Sequence, residues 1–349
     1  MRLSPDSRVA RTVESFWYGA RAPGRLAHSV LALGSGCYRL AIGFRNRLFD
    51  SHLLPTVSCN SAVVSVGNLV IGGSGKTPFA RWLIDEMIER GARPALLHGG
   101  YAEDEPDLHR RWHPGIPVVA GRDRAESARR AEAQGATVIV LDDGFQHRRL
   151  RRDLDIVLIP AETWSDRPDL LPLGPWREPP SSLARAGALV VTRKTLDRDS
   201  ASWVVEGLRR RWPDRPVCLA HVRPAGWSRE GQPAEVPEGP VVAVSGVARA
   251  DQFEANARSS GARLAGSLRF PDHHAYTSAD AERINSMAAG RPLVTTAKDA
   301  LKLEAHMPAG SFWVLEQGVQ IEAGSEQLSA ALDSVLGRDA GQPGRSAAR

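Results

Sequence analysis

The chain has 349 residues, 42% of them apolar and 24% charged, and a formal net charge of +5. That length exceeds one ordinary core, so two domains are expected, and the composition excludes global disorder. Cys37, Cys59 and Cys218 stand apart with no C-x-x-C spacing, which argues against a disulfide framework or a zinc site and fits a reducing compartment.

The charge is uneven. Residues 1–50 hold eight arginines and three acids, which accounts for the whole net charge. A nucleic-acid binder would carry its excess on the folded body, so no nucleic-acid partner is expected. Here the excess flanks an apolar stretch, Leu26 to Phe44. Leu26, Val30, Leu33, Cys37, Leu40, Ala41, Phe44 and Leu48 recur at helical spacing, with Trp17 and Tyr18 upstream and Arg21, Arg25, Arg39, Arg45 and Arg47 around them. His28, Gly34, Gly36 and Arg39 make it a poor membrane span, and no small-residue cleavage site marks a signal peptide. The pattern predicts an amphipathic helix on an anionic membrane surface, against the plainer reading of a helix packed on the protein's own core.

The apolar run Ala62 to Val66 leads into Gly67-Asn-Leu-Val-Ile-Gly-Gly-Ser-Gly-Lys-Thr-Pro78. Strand, glycine turn, Lys-Thr and helix, in that order, form a cradle for nucleotide phosphates. The glycines turn backbone N–H groups inward, a lysine adds charge near the β- and γ-phosphates, and a threonine hydroxyl ligates Mg²⁺. Gly72, Gly73, Ser74, Gly75, Lys76, Thr77 and Pro78 are the candidate nucleotide-binding residues. Val70 departs from the strict pattern, which wants glycine there. Beyond the loop, Phe79, Leu83 and Met87, with Ile84 and Ile88, predict an amphipathic helix that stops at Gly91.

Short strands are expected at Arg93–His98, Ile116–Ala120, Ala136–Asp143, Ile156–Pro160 and Ala188–Thr192, with a helix over Ala125–Gln134. Apolar runs alternating with helical patterns predict a parallel α/β sheet flanked by helices. The turn-rich stretch from Pro224 to Gly239 reads as a linker with a hairpin. A second α/β unit follows: strand Val241–Val244, helix Asp251–Ser260, strand Pro292–Thr295, helix Lys298–His306, strand Phe312–Leu315. The expected division is a membrane-associating segment 1–50, a phosphate-loop domain 51–222, a linker 223–240, a C-terminal domain 241–336 and a disordered tail 337–349.

Asp142 and Asp143 end a buried-looking strand downstream of the phosphate loop, where such an enzyme holds Mg²⁺. Thr77, Asp142 and Asp143 are therefore the candidate metal ligands, and spacing leaves open which aspartate faces the ion. The acids after Gly100-Tyr101, the Asp272-His273-His274 turn and Lys298-Asp299 could each be functional or merely structural. A carboxylate can orient a histidine base, but nothing local brings Asp104 to His273.

Taken together, these residues resemble the tetraacyldisaccharide 4′-kinase family, the lipid A kinases of Gram-negative envelopes. The match lies in Val66–Pro78, Leu141-Asp-Asp-Gly-Phe-Gln-His147, Leu171-Pro-Leu-Gly-Pro-Trp-Arg-Glu-Pro179, Val244-Ser-Gly-Val-Ala248, Phe270-Pro-Asp-His-His274 and Thr295-Thr-Ala-Lys-Asp299. The resemblance implies a P-loop NTPase-type domain, a second smaller α/β/α domain and a thin β linker between them. It implies transfer of the ATP γ-phosphate to the 4′-hydroxyl of a lipid A disaccharide 1-phosphate, with ATP and Mg²⁺ as cofactors, at the cytoplasmic face of the inner membrane. It gives Lys76, Asp104 and His273 catalytic roles, and makes Tyr101, Arg124, His147, Arg177 and Glu178 substrate or phosphate contacts. The chain departs from the family at His98-Gly-Gly-Tyr101, where Ser-Arg-Gly-Tyr and a longer insert are usual, so one cationic contact is missing at Gly99. Two alternatives are a membrane-bound nucleotide switch, for which a GTP-reading Asn-Lys-x-Asp is absent, and a non-catalytic family member.

Overall fold

The computed structural model describes residues 17, 24–100 and 104–339. Tyr18, Arg21, Tyr101 and the tail beyond 339 lie outside the described residues. Helix α1 (Arg25–Asp50) comes first, then strand β1 (Ala62–Asn68) and helix α2 (Lys76–Glu89). Pro78 is tolerated in the first turn of α2, where backbone N–H groups have no intrahelical partner. Next come β2 (Pro94–His98), α3 (Asp104–Trp112), β3 (Val118–Ala120), α4 (Arg124–Ala133) and β4 (Val138–Asp142). They are followed by β5 (Leu154–Pro160), β6 (Ala188–Arg193), α5 (Arg198–Arg211), β7 (Val217–Arg229) and β8 (Gln232–Ala234). The remainder is β9 (Pro240–Ser245), α6 (Ala250–Ser259), β10 (Arg263–Arg269), α7 (Ser278–Ala288), β11 (Leu293–Thr296), α8 (Ala297–Leu303), β12 (Phe312–Ala323) and α9 (Ser325–Asp339).

The strands pair mostly in parallel and helices flank them, as the alternating pattern predicts. Two compact units share the chain. One takes the chain up to Lys76, Asp143–Leu219 and the chain from Glu322 onward; the other takes Thr77–Asp142 and Ala220–Ile321. In the first, β1 and β6 both pair in parallel with β5, and Leu69, Phe145, Val157, Trp176 and Leu189 anchor the core. In the second, β2 pairs in parallel with β3 and β4, while β9 and β11 carry β10 and β12 in the order β10-β9-β11-β12. Val242, Ile284, Leu293 and Phe312 fill one of its cores and Val241, Phe253 and Trp227 another.

Where a linker is expected, β7 turns back into β8 as an antiparallel hairpin with Arg229 opposite Gln232. Its two loop residues, Glu230 and Gly231, both have positive φ, as a two-residue turn matching strand twist requires.

One close approach shapes the first unit. A Cβ on Gly67 would lie 2.4 Å from Phe145 Cβ, and Gly144 N–H donates to Val66 O at 3.1 Å. The loop after the twin aspartates is thus pressed directly onto β1. Gly67→Ala is expected to destabilise the fold by about 1–3 kcal/mol through overpacking. Chemical denaturation checks this, and an unchanged midpoint would refute the close-approach argument.

Candidate active site

The glycine loop is preformed by its own hydrogen bonds. Gly72, Gly73 and Gly75 all have positive φ, which costs a residue without Cβ little. Asn68 Nδ2 donates to Val70 O at 2.6 Å and Ser74 Oγ at 2.8 Å, and Thr192 Oγ1 donates to Ser74 O at 3.1 Å. Val70, the departure from the strict pattern, is buried with Leu69, Phe145 and Trp176, so its side chain belongs to the core.

Lys76 ends this loop with Nζ 3.5 Å from Asp143 Oδ1. Arg177 Nη1 donates to both Asp143 oxygens, at 2.9 and 2.8 Å. Burial alone would raise the Asp143 pKa, but the Lys76 and Arg177 charges overcome it and bring it down to about 2. Gln146 Nε2 donates to Asn68 O at 2.9 Å, which ties this block back to β1. Helix α1 supports the same residues: Tyr38 Oη donates to Arg177 O at 2.9 Å and Arg45 Nη2 to Gln146 O at 2.7 Å. Glu178, fully buried, accepts from Asn46 Nδ2 at 2.8 Å and from Arg185 Nη2 at 2.9 Å. His147 is half-buried, and its carbonyl accepts from Arg152.

The second unit carries a separate cluster of charges. Asp104 and Glu105 open α3, where the helix dipole favours carboxylates. Asp104 Oδ2 is 3.5 Å from His273 Nδ1 and 3.3 Å from Lys302 Nζ. Burial works against the ionised form of Asp104. The His273 contact and the Lys298 and Lys302 charges outweigh burial and hold it well below the usual carboxylate range. Conversely, the Asp104 contact lifts His273 above an ordinary histidine against the pull of burial, and Asp272 adds to the rise.

His273 is fixed from below. Its backbone, at φ 57°, donates to Gly246 O at 3.1 Å and to Asp272 Oδ1 at 3.1 Å. Asp299, fully buried, accepts from Gly246 N at 3.0 Å, Tyr276 Oη at 3.1 Å and Thr296 Oγ1 at 2.7 Å. Three motifs far apart in the chain, Val244-Ser-Gly246, Phe270-Pro-Asp-His-His274 and Thr295-Thr-Ala-Lys-Asp299, therefore form one support.

A family profile described as tetraacyldisaccharide-1-P 4′-kinase matches residues 27–110 and 102–337. The chain belongs to the tetraacyldisaccharide-1-P 4′-kinase family. A tetraacyldisaccharide 4′-kinase of Anaeromyxobacter sp. (strain K) is 38% identical over 363 residues, covering 93% of this chain and 95% of the relative. One from Halorhodospira halophila is 33% identical over 354 residues, covering 96% and 99%. The crystal structure of the "apo" form of this kinase from Aquifex aeolicus, in complex with ATP, superposes with a TM-score of 0.72 at 28% identity. That match covers 88% of this chain and 99% of the other.

Glu105, one of the acids after Gly100-Tyr101 to which the sequence reading assigned no individual role, joins the cluster of the second unit, as does His98. Glu105 Oε1 accepts from Lys298 Nζ at 2.6 Å and Thr77 Oγ1 at 3.3 Å, and its Oε2 meets His98 Nε2 at 3.1 Å. Burial opposes its ionisation, yet the His98 contact and the Lys298 charge hold its pKa far below normal. The available signal was Asp104-Glu-Pro-Asp107 followed by His109-Arg-Arg111, acids then bases, which marks a helix start and end.

Thr77, Glu105 and Asp142 offer hard oxygen donors of the kind Mg²⁺ takes, so the residues present fit that ion. Ligand atoms of His98, Glu105 and Asp142 all lie within 4.8 Å of one another. Asp143 instead sits between the Lys76 and Arg177 cations. Arg124 is buried, with its guanidinium on the carbonyls of His98, at 2.8 Å, and Gly121.

Proposed function

We infer that the protein is an ATP-dependent kinase of lipid A biosynthesis. It transfers the γ-phosphate to the 4′-hydroxyl of a tetraacylated disaccharide 1-phosphate. The observation that carries this reading is the 3.5 Å contact between Asp104 Oδ2 and His273 Nδ1, which come from distant parts of a chain that also holds a phosphate loop. In this reading Gly72 to Pro78 hold the ATP phosphates, and the family's ATP-bound member supports that use of the loop. Thr77 and Asp142, with Glu105, would hold Mg²⁺, which when bound neutralises phosphate charge.

His273 Nδ1 is turned to Asp104, so Nε2 takes the proton of the 4′-hydroxyl. The sugar oxygen bonds to the γ-phosphorus, the bond to the β,γ-bridging oxygen breaks, and ADP leaves. Asp104 stabilises the imidazolium formed on His273. Such a transfer depends on positioning and charge neutralisation, which these groups supply. Arg177 and His147 serve as acceptor contacts, with the buried Glu178 held beside Arg177 in the chain.

The test is purified protein with labelled ATP, Mg²⁺ and the lipid disaccharide 1-phosphate, with the position of the new phosphate determined. Acceptor-dependent label at the 4′-position is expected. Acceptor-independent ATP hydrolysis with no lipid product would overturn the reading in favour of a regulatory ATPase.

The substrate is a lipid, and the exposed stripe of α1 supports peripheral binding to a membrane surface, with the cytoplasmic face the expected side. Leu26, Val30, Leu33, Leu40 and Phe44 are 63–81% exposed and share one stripe, with Arg25, Arg39 and Arg47 exposed nearby. Among the described residues no helix is long and apolar enough to cross a membrane. The double substitution Leu33→Glu, Leu40→Glu is expected to weaken binding to anionic vesicles at least about tenfold, since each buried leucine contributes roughly 1.5–3 kcal/mol. Vesicle co-sedimentation reads this, and equal partitioning would rule the stripe out as the contact.

A further inference from the structure

His98 closes β2, buried, and its ring is held at both nitrogens. Gly100 N–H donates to Nδ1 at 3.2 Å, and Nε2 lies 3.1 Å from Glu105 Oε2. A nitrogen that accepts a hydrogen bond carries no proton, so the neutral ring bears its proton on Nε2 and donates it to Glu105. A histidine grouped with Glu105 and Asp142 would ordinarily suggest a nitrogen ligand and a softer cation. Here the nitrogen facing the group is already a donor, so His98 stands behind Glu105 rather than on a metal.

Glu105 spends its other oxygen on Lys298 Nζ and on Thr77 Oγ1. A hydroxyl has one proton and two acceptor lone pairs. Once its proton is committed to Glu105, the Thr77 oxygen can offer only lone pairs to a cation. We propose that His98 is a positioning residue: it locks the Glu105 carboxylate, which sets the Thr77 hydroxyl for metal binding beside the nucleotide. The relay runs Gly100 N–H, His98, Glu105, Thr77. This proposal rests on the kinase reading, in which Thr77 ligates the ion.

Groups that orient metal ligands change metal affinity about 10–100-fold when removed. The experiment is Mn²⁺ binding, read by electron paramagnetic resonance, to protein saturated with a non-hydrolysable ATP analogue and without lipid. His98→Ala is expected to weaken Mn²⁺ binding about tenfold while nucleotide affinity without metal stays unchanged. His98→Gln carries an N–H near the place of Nε2 and is expected to recover most of the loss, whereas His98→Asn, whose N–H falls near Nδ1, is not. The Gln and Asn pair keeps the test decisive if the alanine variant does not fold. Equal Mn²⁺ affinity in wild type and all three variants, or equal loss in Gln and Asn, overturns the proposal while leaving the kinase reading standing. Wild-type protein that binds no Mn²⁺–nucleotide would sink both.

Discussion

Lys76→Ala is expected to abolish phosphorylation of the lipid acceptor, lowering kcat by at least about 10³-fold, the scale of losing a charge-stabilising group in a site of this kind. The loop around Lys76 is held by Asn68, Ser74 and Thr192 and does not depend on the ammonium, so the variant should fold. What it loses is the one lysine that the loop carries into α2, now resting 3.5 Å from Asp143. In the free protein that contact and Arg177 keep Asp143 ionised. In the proposed mechanism Lys76 would exchange this carboxylate for phosphate oxygens, leaving Arg177 to neutralise Asp143. Lys76→Arg should also fail, since a planar fork cannot replace a compact point charge in a tight loop. Steady-state assays with labelled ATP check both, and near-normal turnover in Lys76→Ala would remove the phosphate-binding role.

His273→Ala is expected to cost about 10²–10⁴-fold in kcat, the usual range for removing a general base, with little change in nucleotide affinity. Asp104→Asn should cost less, because the imidazole remains but loses the anion that stabilises its protonated form. The double variant should be little worse than His273→Ala, since the two residues act as a unit. The pH dependence follows from the direction of the shift. His273 is raised by Asp104, so it stays protonated to higher pH than an ordinary histidine and serves as a base only above that point. The acid limb of kcat/KM should therefore lie above about 6.5, the reference histidine value, and Asp104→Asn should move it to lower pH. An acid limb unmoved by Asp104→Asn would separate the two residues.

The phosphate loop was legible because its chemistry is local: glycines, lysine and threonine follow one another, and the apolar runs on either side announce strand and helix. Val70 shows where a pattern misleads, because its place in the motif is set by packing against Phe145 and Trp176 rather than by phosphate. The pairing of Asp104 with His273 was not legible from the residues, since it depends on α3 lying beside α8 and on a turn hung from Gly246. Only the family resemblance joined them. Asp299 read as a helix-start acid, which it is, but its second task of bonding Gly246 and Tyr276 has no local signature. Among the elements, α3, α5, α9 and β10 went unread, although Ala201, Val205 and Leu208 in α5 keep helical spacing. Strand β12 runs on to Ala323 through Gln317-Gly318, a polar break that pairing overrides.

The bonds from Tyr38, Arg45 and Asn46 give α1 an office separate from the proposed membrane contact. Trimming the first fifty residues to obtain a better-behaved sample would strip a partner from Glu178, deep in the interior, and remove the brace on the Arg177 carbonyl. Glu178 would keep Arg185 but lose its bond from Asn46, and a hydrogen bond to a charged group contributes about 1.5–3 kcal/mol. A shortened enzyme is therefore expected to lose activity even toward a detergent-dispersed acceptor, so its inactivity would not test the proposed membrane contact: the same helix that offers the apolar stripe also braces the loop at Arg177.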